Sequence, residues 1–267
     1  MCNKSESRVT QVLQYDIAML KIATYNIHKG YSQFKRRFVL HALRERLREL
    51  DADIVFLQEV QGDDRRAKPR HHFEGAHPQH EFLAHEGWLH HAYGKNSVYD
   101  SGHHGNAILS RLPILKWDNQ DISAHRFESR GVLHCEMAIP DSETVLHSMC
   151  VHLGLFSRGR GQQMQELVER VQREVPAYAP LIIAGDFNDW NNHAGPLLAQ
   201  ELNLHEAFEI KTGKLARSYP CGWPLLRMDR IYVRGLTVQQ AEVHAHYPWN
   251  KISDHAALSA TLSLSSS

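Results

Sequence analysis

The segment Leu181–Trp190 reads LIIAGDFNDW. An apolar run of strand length meets a glycine and then delivers Asp186, Asn188 and Asp189 almost together. A rigid strand ending in acids and an amide holds hard oxygens and hydrogen-bonding groups at one point. The same ending recurs along the chain. KIATYNI carries Asn26, DIVFLQEV carries Glu59, and the run from Thr144 returns to His152. Asp229 opens the run containing RIYV, and Asp254-His255 stands before AALSATL. Each residue has a plainer alternative: an Asx turn at Asp186–Asp189, a strand cap at Asp254, a solvated strand end at Glu59, a satisfied core histidine at His152, a loop hydrogen bond at Asn26. The set points further. Carboxylates, an amide and two histidines suit a divalent cation together with a phosphate, and no soft ligand accompanies them.

The elements that must position these residues show in the hydrophobic periodicity. Lys21–Ile27 reads as a strand, and Phe38–Leu50 as a helix with Leu40, Leu43, Leu47 and Leu50 on one stripe. Asp53–Val60 is again a strand, so strand, helix and strand form a crossover unit. Residues 61–104, rich in His, Gly, Pro and charge, read as surface loops enclosing a short strand or helix. Short strands are predicted at Ala107–Ser110 and Ile114–Trp117, and a hairpin at Leu133–Ile139 with Thr144–His152. A helix over Gln162–Val175 buries Met164, Leu167, Val168 and Val171, and Pro176 stops it. A short helix follows Gly195-Pro196, and strands are predicted at Arg230–Val233, Val238–Val243 and Ala256–Leu262. This order predicts a mixed α/β domain with sheets packed face to face.

Composition bounds the function. The chain has 267 residues, 42% of them apolar, enough for a sizeable core. Thirty basic residues balance thirty acidic ones, which excludes adhesion to nucleic acid by bulk charge alone. The four cysteines show no C-x-x-C pair, so neither a zinc ribbon nor a disulfide framework is indicated. The first twenty residues are too polar for a secretory signal, and no apolar run approaches the ~18 residues of a membrane span. The expectation is a cytoplasmic protein. Histidine is abundant, at 20, partly as the pairs His71-His72, His90-His91 and His103-His104. These read as solvated loop residues, because their spacing matches no recognisable zinc site. No G-x-S-x-G elbow or P-loop is present, which disfavours a serine hydrolase and a P-loop enzyme.

The series TYNIHKG, FLQEV, GNAILSR, VHLG, GDFND, MDRIYV and SDHAAL, in that order, resembles the endonuclease/exonuclease/phosphatase superfamily from about residue 20 to 262. YNIHKG, HHGNAILSR and RGVLHC are most similar to a bacterial subgroup without a settled substrate. The resemblance implies a four-layer α/β sandwich: two packed, mixed, mostly antiparallel sheets flanked by helices. It implies a domain at 20–263 behind an N-terminal extension at 1–19, Mg²⁺ or Mn²⁺ as cofactor, and phosphoester hydrolysis. Carried over by motif, Glu59 is the main metal ligand, with Asn26 and Asp254 beside it. Asp186 orients or deprotonates water, and Asn188 hydrogen-bonds a phosphoryl oxygen. His152 and His255, the latter polarised by Asp229, stabilise the transition state. His255 is the general base in some members, so the base stays open between Asp186 and His255. The resemblance assigns Asp189 no role. His28 stands where the abasic-site nucleases of the superfamily carry an Asp, which makes abasic-DNA repair the poorer expectation.

A nuclease would use Arg111, Arg126, Arg130, Arg158 and Arg160 on phosphates. A phosphodiesterase on a lipid head group or small phosphoester would need an exposed apolar rim, with Trp190, Trp223, Pro224, Leu225, Leu226 and Trp249 as candidates and peripheral membrane contact as a consequence. A non-catalytic binding module would carry a degenerate site. A monomer is expected.

Overall fold

The computed structural model describes residues 19–32, 37–64, 78–100, 102–125 and 128–264. Nearly all of the expected N-terminal extension, together with Arg126, His71 and His72, lies outside the described residues.

Two crossovers organise the chain. The apolar strand β1 (Leu20–Asn26) leads through helix α1 (Leu40–Leu50) to β2 (Ile54–Asp64), and β1 and β2 pair in parallel. The second runs from β7 (Val145–His152) through α3 (Ser157–Glu174) to β8 (Leu181–Asp186), again parallel. Strands buried on both faces read as continuous apolar runs, and β8 is buried throughout. Antiparallel strands extend each pair. β3 (His90–Tyr99), β4 (Gly102–Ser110), β11 (Leu236–His244) and β12 (Ala257–Leu264) complete one sheet, in the order β11-β12-β1-β2-β4-β3. β5 (Ile114–Asp121), β6 (Gly131–Ala138), β9 (His205–Glu206) and β10 (Asp229–Arg234) complete the other, in the order β5-β6-β7-β8-β10-β9. The shorter helices are α2 (Gln79–Ala84), α4 (Ala194–Leu202) and α5 (Ala207–Thr212).

Three apolar clusters hold the layers. Ile22, Phe56, Ile108, Leu133, Ile182, Ile231 and Leu258 belong to the cluster between the sheets. Leu43 and Leu47 of α1 cover one outer face with Tyr25 and Leu57, while Leu167 and Val171 of α3 cover the other with Val151 and Ile183. This is the expected four-layer sandwich.

The structure corrects several element expectations. The described part of residues 61–104 is largely regular: β2 continues to Asp64, α2 lies at Gln79–Ala84, and β3 pairs with β4. His90, His91, His103 and His104 therefore sit on strands, not in loops. Register shifts at Lys95/Ser97 and Gln61/Asp63 break the two-residue alternation that would have revealed those strands. α3 begins five residues before the predicted Gln162, because Gly159 and Gly161 conceal its first turns.

Candidate active site

Topology brings the polar strand ends to one edge. Asn26 ends β1, and in the second sheet His152 and Asp186 end the parallel strands β7 and β8 opposite one another. β10 runs antiparallel to β8, so its first residue, Asp229, pairs with Asp186. Asp254 and His255 lie just before β12, the antiparallel neighbour of β1. Glu59 arrives differently: it sits in a bulge between Leu57 and Val60 with a left-handed φ of 56°. The extra residue turns its side chain out of the regular alternation. Gly185 has φ 151°, and a Cβ there would overlap the carbonyl oxygen of Val151. Glycine alone lets β8 lie this close to β7 just before Asp186.

Asp186 Oδ2 is the centre of the site. Asn26 Nδ2 donates to it at 3.1 Å, His152 Nε2 stands 3.6 Å away and His255 Nε2 3.8 Å away. The other oxygen, Oδ1, accepts the backbone N–H of Asn188 at 2.9 Å, the Asx turn anticipated for GDFND. Asn188 Nδ2 donates to Leu153 O at 2.8 Å. His255 Nδ1 meets Asp229 Oδ2 at 2.8 Å, and Asp229 is fully buried.

These contacts set the charges. Burial opposes a charged His255, but Asp229 and Asp186 outweigh it and hold its pKa up at about 10. Burial, then Asp229, pushes Asp186 up to about 7 against the pull of His255. Burial holds His152 well below the ordinary imidazole value, and Arg130 and His255 add to the effect. His104 is lowered to about 4 by burial and by Lys29. The site thus pairs a protonated histidine with a neutral one around an acid that titrates near neutrality.

The residues fit a hard divalent cation. Asn26 Nδ2 lies 3.5 Å from Glu59 Oε1 as well as 3.1 Å from Asp186, so two carboxylates converge on one amide. Converging oxygen donors at this edge select Mg²⁺ or Mn²⁺. Asn26 Oδ1 accepts the His28 N–H at 3.1 Å, so Asn26 offers its NH₂ to the acids and orients them. Asp254 faces His28, with Oδ1 3.5 Å from Nδ1. Among the described residues, the acids and histidine that close to within 4.8 Å of one another here are Asp186, Asp229 and His255. The Asp229–His255 hydrogen bond already occupies part of that group, which leaves the Glu59 side for an ion.

Of the arginines proposed for phosphate, Arg130 borders the site, since its charge acts on both His152 and His104. Arg111 is engaged by Asp51 and Asp53, and Arg160 is buried, donating to Gly154 O and Leu155 O. Asp189 accepts the Ala194 N–H at 2.7 Å and serves the turn into α4. Trp249 packs edge-on against Tyr25, and Trp190 lies beneath Arg160. Trp223, Leu225 and Leu226 are exposed on the loop before β10. That loop is tied to the site, because Cys221 N–H donates to Asp254 O and Tyr219 rests against the His255 ring.

Sequence reasoning overlooked two serines. Ser253 Oγ donates to Asn26 O at 2.7 Å and accepts the His255 N–H at 3.3 Å, joining β1 to the last strand. Ser218 Oγ accepts the Asp229 N–H at 3.1 Å. Ser253 stands inside the SDH motif and could have been found there; Ser218 carries no signal.

The comparisons agree with this architecture. The family model "Endonuclease/Exonuclease/phosphatase family" matches residues 23–255. The uncharacterized protein YbhP of Escherichia coli K12 is 44% identical over 245 residues, covering 91% of this chain and 96% of its own. An endonuclease/exonuclease/phosphatase structure from Beutenbergia cavernae superimposes with a TM-score of 0.74 at 18% identity, over 92% of this chain and 72% of that one. The human Nocturnin catalytic domain with a bound sulfate anion gives 0.69 at 19% identity, over 93% and 94%. The chain belongs to the endonuclease/exonuclease/phosphatase family, a family of metal-dependent phosphoesterases.

Proposed function

We propose that the protein hydrolyses a phosphodiester with Mg²⁺ or Mn²⁺, using water activated at Asp186. The observation that carries the reading is the ring around Asp186 Oδ2, formed by Asn26, neutral His152 and protonated His255 backed by Asp229. When bound, the cation neutralises phosphate charge and lowers the cost of the leaving alkoxide. Glu59 holds it, with Asp254 assisting and Asn26 orienting the acids. Asp186 accepts the water proton, and its pKa of about 7 suits a base at neutral pH. His255 stays protonated and therefore acts as donor to the phosphoryl oxygens, not as the base. His152 Nε2 and the second amide hydrogen of Asn188 donate to the same oxygens. Intact bonds among these residues argue against a degenerate binding module.

Nucleic acid is the first substrate reading. Lys29, His104 and Arg130 supply donors beside His152, a local patch on a chain of zero net charge. The sulfate held by the Nocturnin domain supports a tetrahedral-anion site on this fold. A second reading, an amphiphilic phosphoester such as a lipid head group, is favoured by Trp223, Leu225 and Leu226 exposed on the loop that borders His255. No helix among the described residues is long and apolar enough to cross a membrane, so contact with a bilayer would be peripheral. Buried unpaired Cys135, Cys150 and Cys221 suit a reducing cytoplasm, and a monomer suffices because the site is complete within one chain. A side-by-side panel of single- and double-stranded DNA, RNA and phospholipid vesicles, with Asp186→Ala as the blank, tests the substrate. Metal-dependent cleavage of nucleic acid supports the first reading. Lipid turnover with nucleic acid untouched replaces it with the second.

A further inference from the structure

Histidines that the phosphoester site does not use gather elsewhere. Helix α2 packs on the edge strand β3, on the helix-covered face of its sheet. One ring nitrogen each of His80 and His91 and a carboxylate oxygen of Glu81 lie within 4.8 Å of one another. None of the three belongs to the phosphoester site. His91 pairs with Leu109 on β4, and Leu109 pairs with Val55, so His91 lies two strands away from β2 and level with a residue well before the bulge.

His80 is only 8% exposed, and its Nδ1 has no hydrogen-bond partner among the described residues. Its ring is fixed by stacking on Tyr93 at 4.6 Å with planes 6° apart. Tyr93 is itself held by His103 Nδ1 at 3.0 Å. A buried imidazole held in place, with one nitrogen unpartnered and a ring nitrogen within 4.8 Å of a second imidazole and a carboxylate, is a half-assembled coordination shell. Burial and His91 bring His80 down to about 4, so the ring is neutral and competent to bind metal at neutral pH.

We propose that His80, Glu81 and His91 form a second metal site, for a borderline divalent ion of the Zn²⁺ class. Two imidazoles and one carboxylate select such an ion over Mg²⁺. Metal–ligand lengths of about 2.1 Å place tetrahedral ligands roughly 3.4 Å apart, a short closing movement for the outward-reaching Glu81 and His91. The fourth position is left to water. Gln79, the neighbour of His80, donates to Lys29 O and accepts the Gln61 N–H, both at 2.9 Å. An ion at His80 therefore clamps α2 where it already grips the strand carrying Glu59.

The test is a calorimetric Zn²⁺ titration of the full chain without a histidine tag, in saturating Mg²⁺. One Zn²⁺ should bind wild type, Asp186→Ala and Glu59→Gln alike. Binding should weaken by about tenfold or more in His91→Ala and in Glu81→Gln. Zn²⁺ should raise the Tm of wild type and not of His91→Ala. His91 is exposed, so its variant retains the fold and carries the test in place of the buried His80. Absence of saturable Zn²⁺ binding, equal binding in wild type and His91→Ala, or loss of binding in Asp186→Ala would each overturn the proposal.

Discussion

Asp229→Asn separates the charge of His255 from its place in the site. Asp229 is the first of the three carboxylates that keep His255 protonated up to about 10. Activity should rise with pH as Asp186 loses its proton, through about 7, and fall as His255 loses its own, through about 10. Saturating metal beside Glu59 favours the carboxylate and moves the rising limb lower. In Asp229→Asn the falling limb should move down toward the ordinary imidazole value of about 6.5, with turnover reduced roughly 10²- to 10⁴-fold. A falling limb left in place in a pH–rate profile would remove Asp229 as the group that holds His255. Asp186 and Asn188 were legible because an apolar strand runs straight into them. Arg160 was not: an arginine that caps its own loop and one that binds phosphate look alike as letters, and only its bonds to Gly154 O and Leu155 O separate them. Ser218 was silent because its role is to accept the backbone N–H groups of Met228 and Asp229, which leaves no pattern in the sequence.

At the level of elements, each sheet is built on one parallel pair, β1–β2 or β7–β8, joined by a crossover helix and widened by two antiparallel strands on either side. The two pairs present their C-terminal ends to the same site, one with Asn26 and the bulged Glu59, the other with His152 and Asp186. The first crossover was readable, since α1 carries an unbroken apolar stripe, whereas in α3 the stripe from Met164 to Val171 marked the helix but not the parallel pairing of the strands around it. The bulge was not readable, because one inserted residue leaves no period to detect and β2 continues past it to Asp64. Two close approaches give predictions. Gly185→Ala forces a methyl onto the Val151 carbonyl and should destabilise by about 1–3 kcal/mol or more, read by urea unfolding. Wild-type stability in that variant would contradict the packing of β8 on β7. Ser253→Ala removes a bond to Asn26 O and should cost about 1 kcal/mol, with a larger proportional loss in turnover than in folded fraction.

For the whole molecule, the site trades stability for chemistry. His255 is raised from its unfolded value of about 6.5 to about 10, so its stabilising effect is complete below 6.5 and is lost as pH rises through 10. Asp186 is raised as well, to about 7, so ionising it costs stability between roughly pH 4 and 7. Metal-free protein should therefore weaken steadily on the alkaline side, and His255→Asn should flatten the slope between pH 7 and 10 in urea melts. An unchanged slope would contradict the charge assignment. The apolar loop gives a surface prediction: Trp223→Ser with Leu225→Ser should abolish vesicle binding and leave hydrolysis of a small soluble diester intact, if the amphiphilic reading holds. The central claim is metal-assisted hydrolysis at Asp186, and turnover of an aryl phosphodiester with Mg²⁺ or Mn²⁺ tests it most directly. Wild type should hydrolyse the diester only with metal, and Asp186→Ala should lose about 10³-fold or more while remaining folded. Undiminished turnover in Asp186→Ala, or turnover indifferent to chelation, would contradict the account.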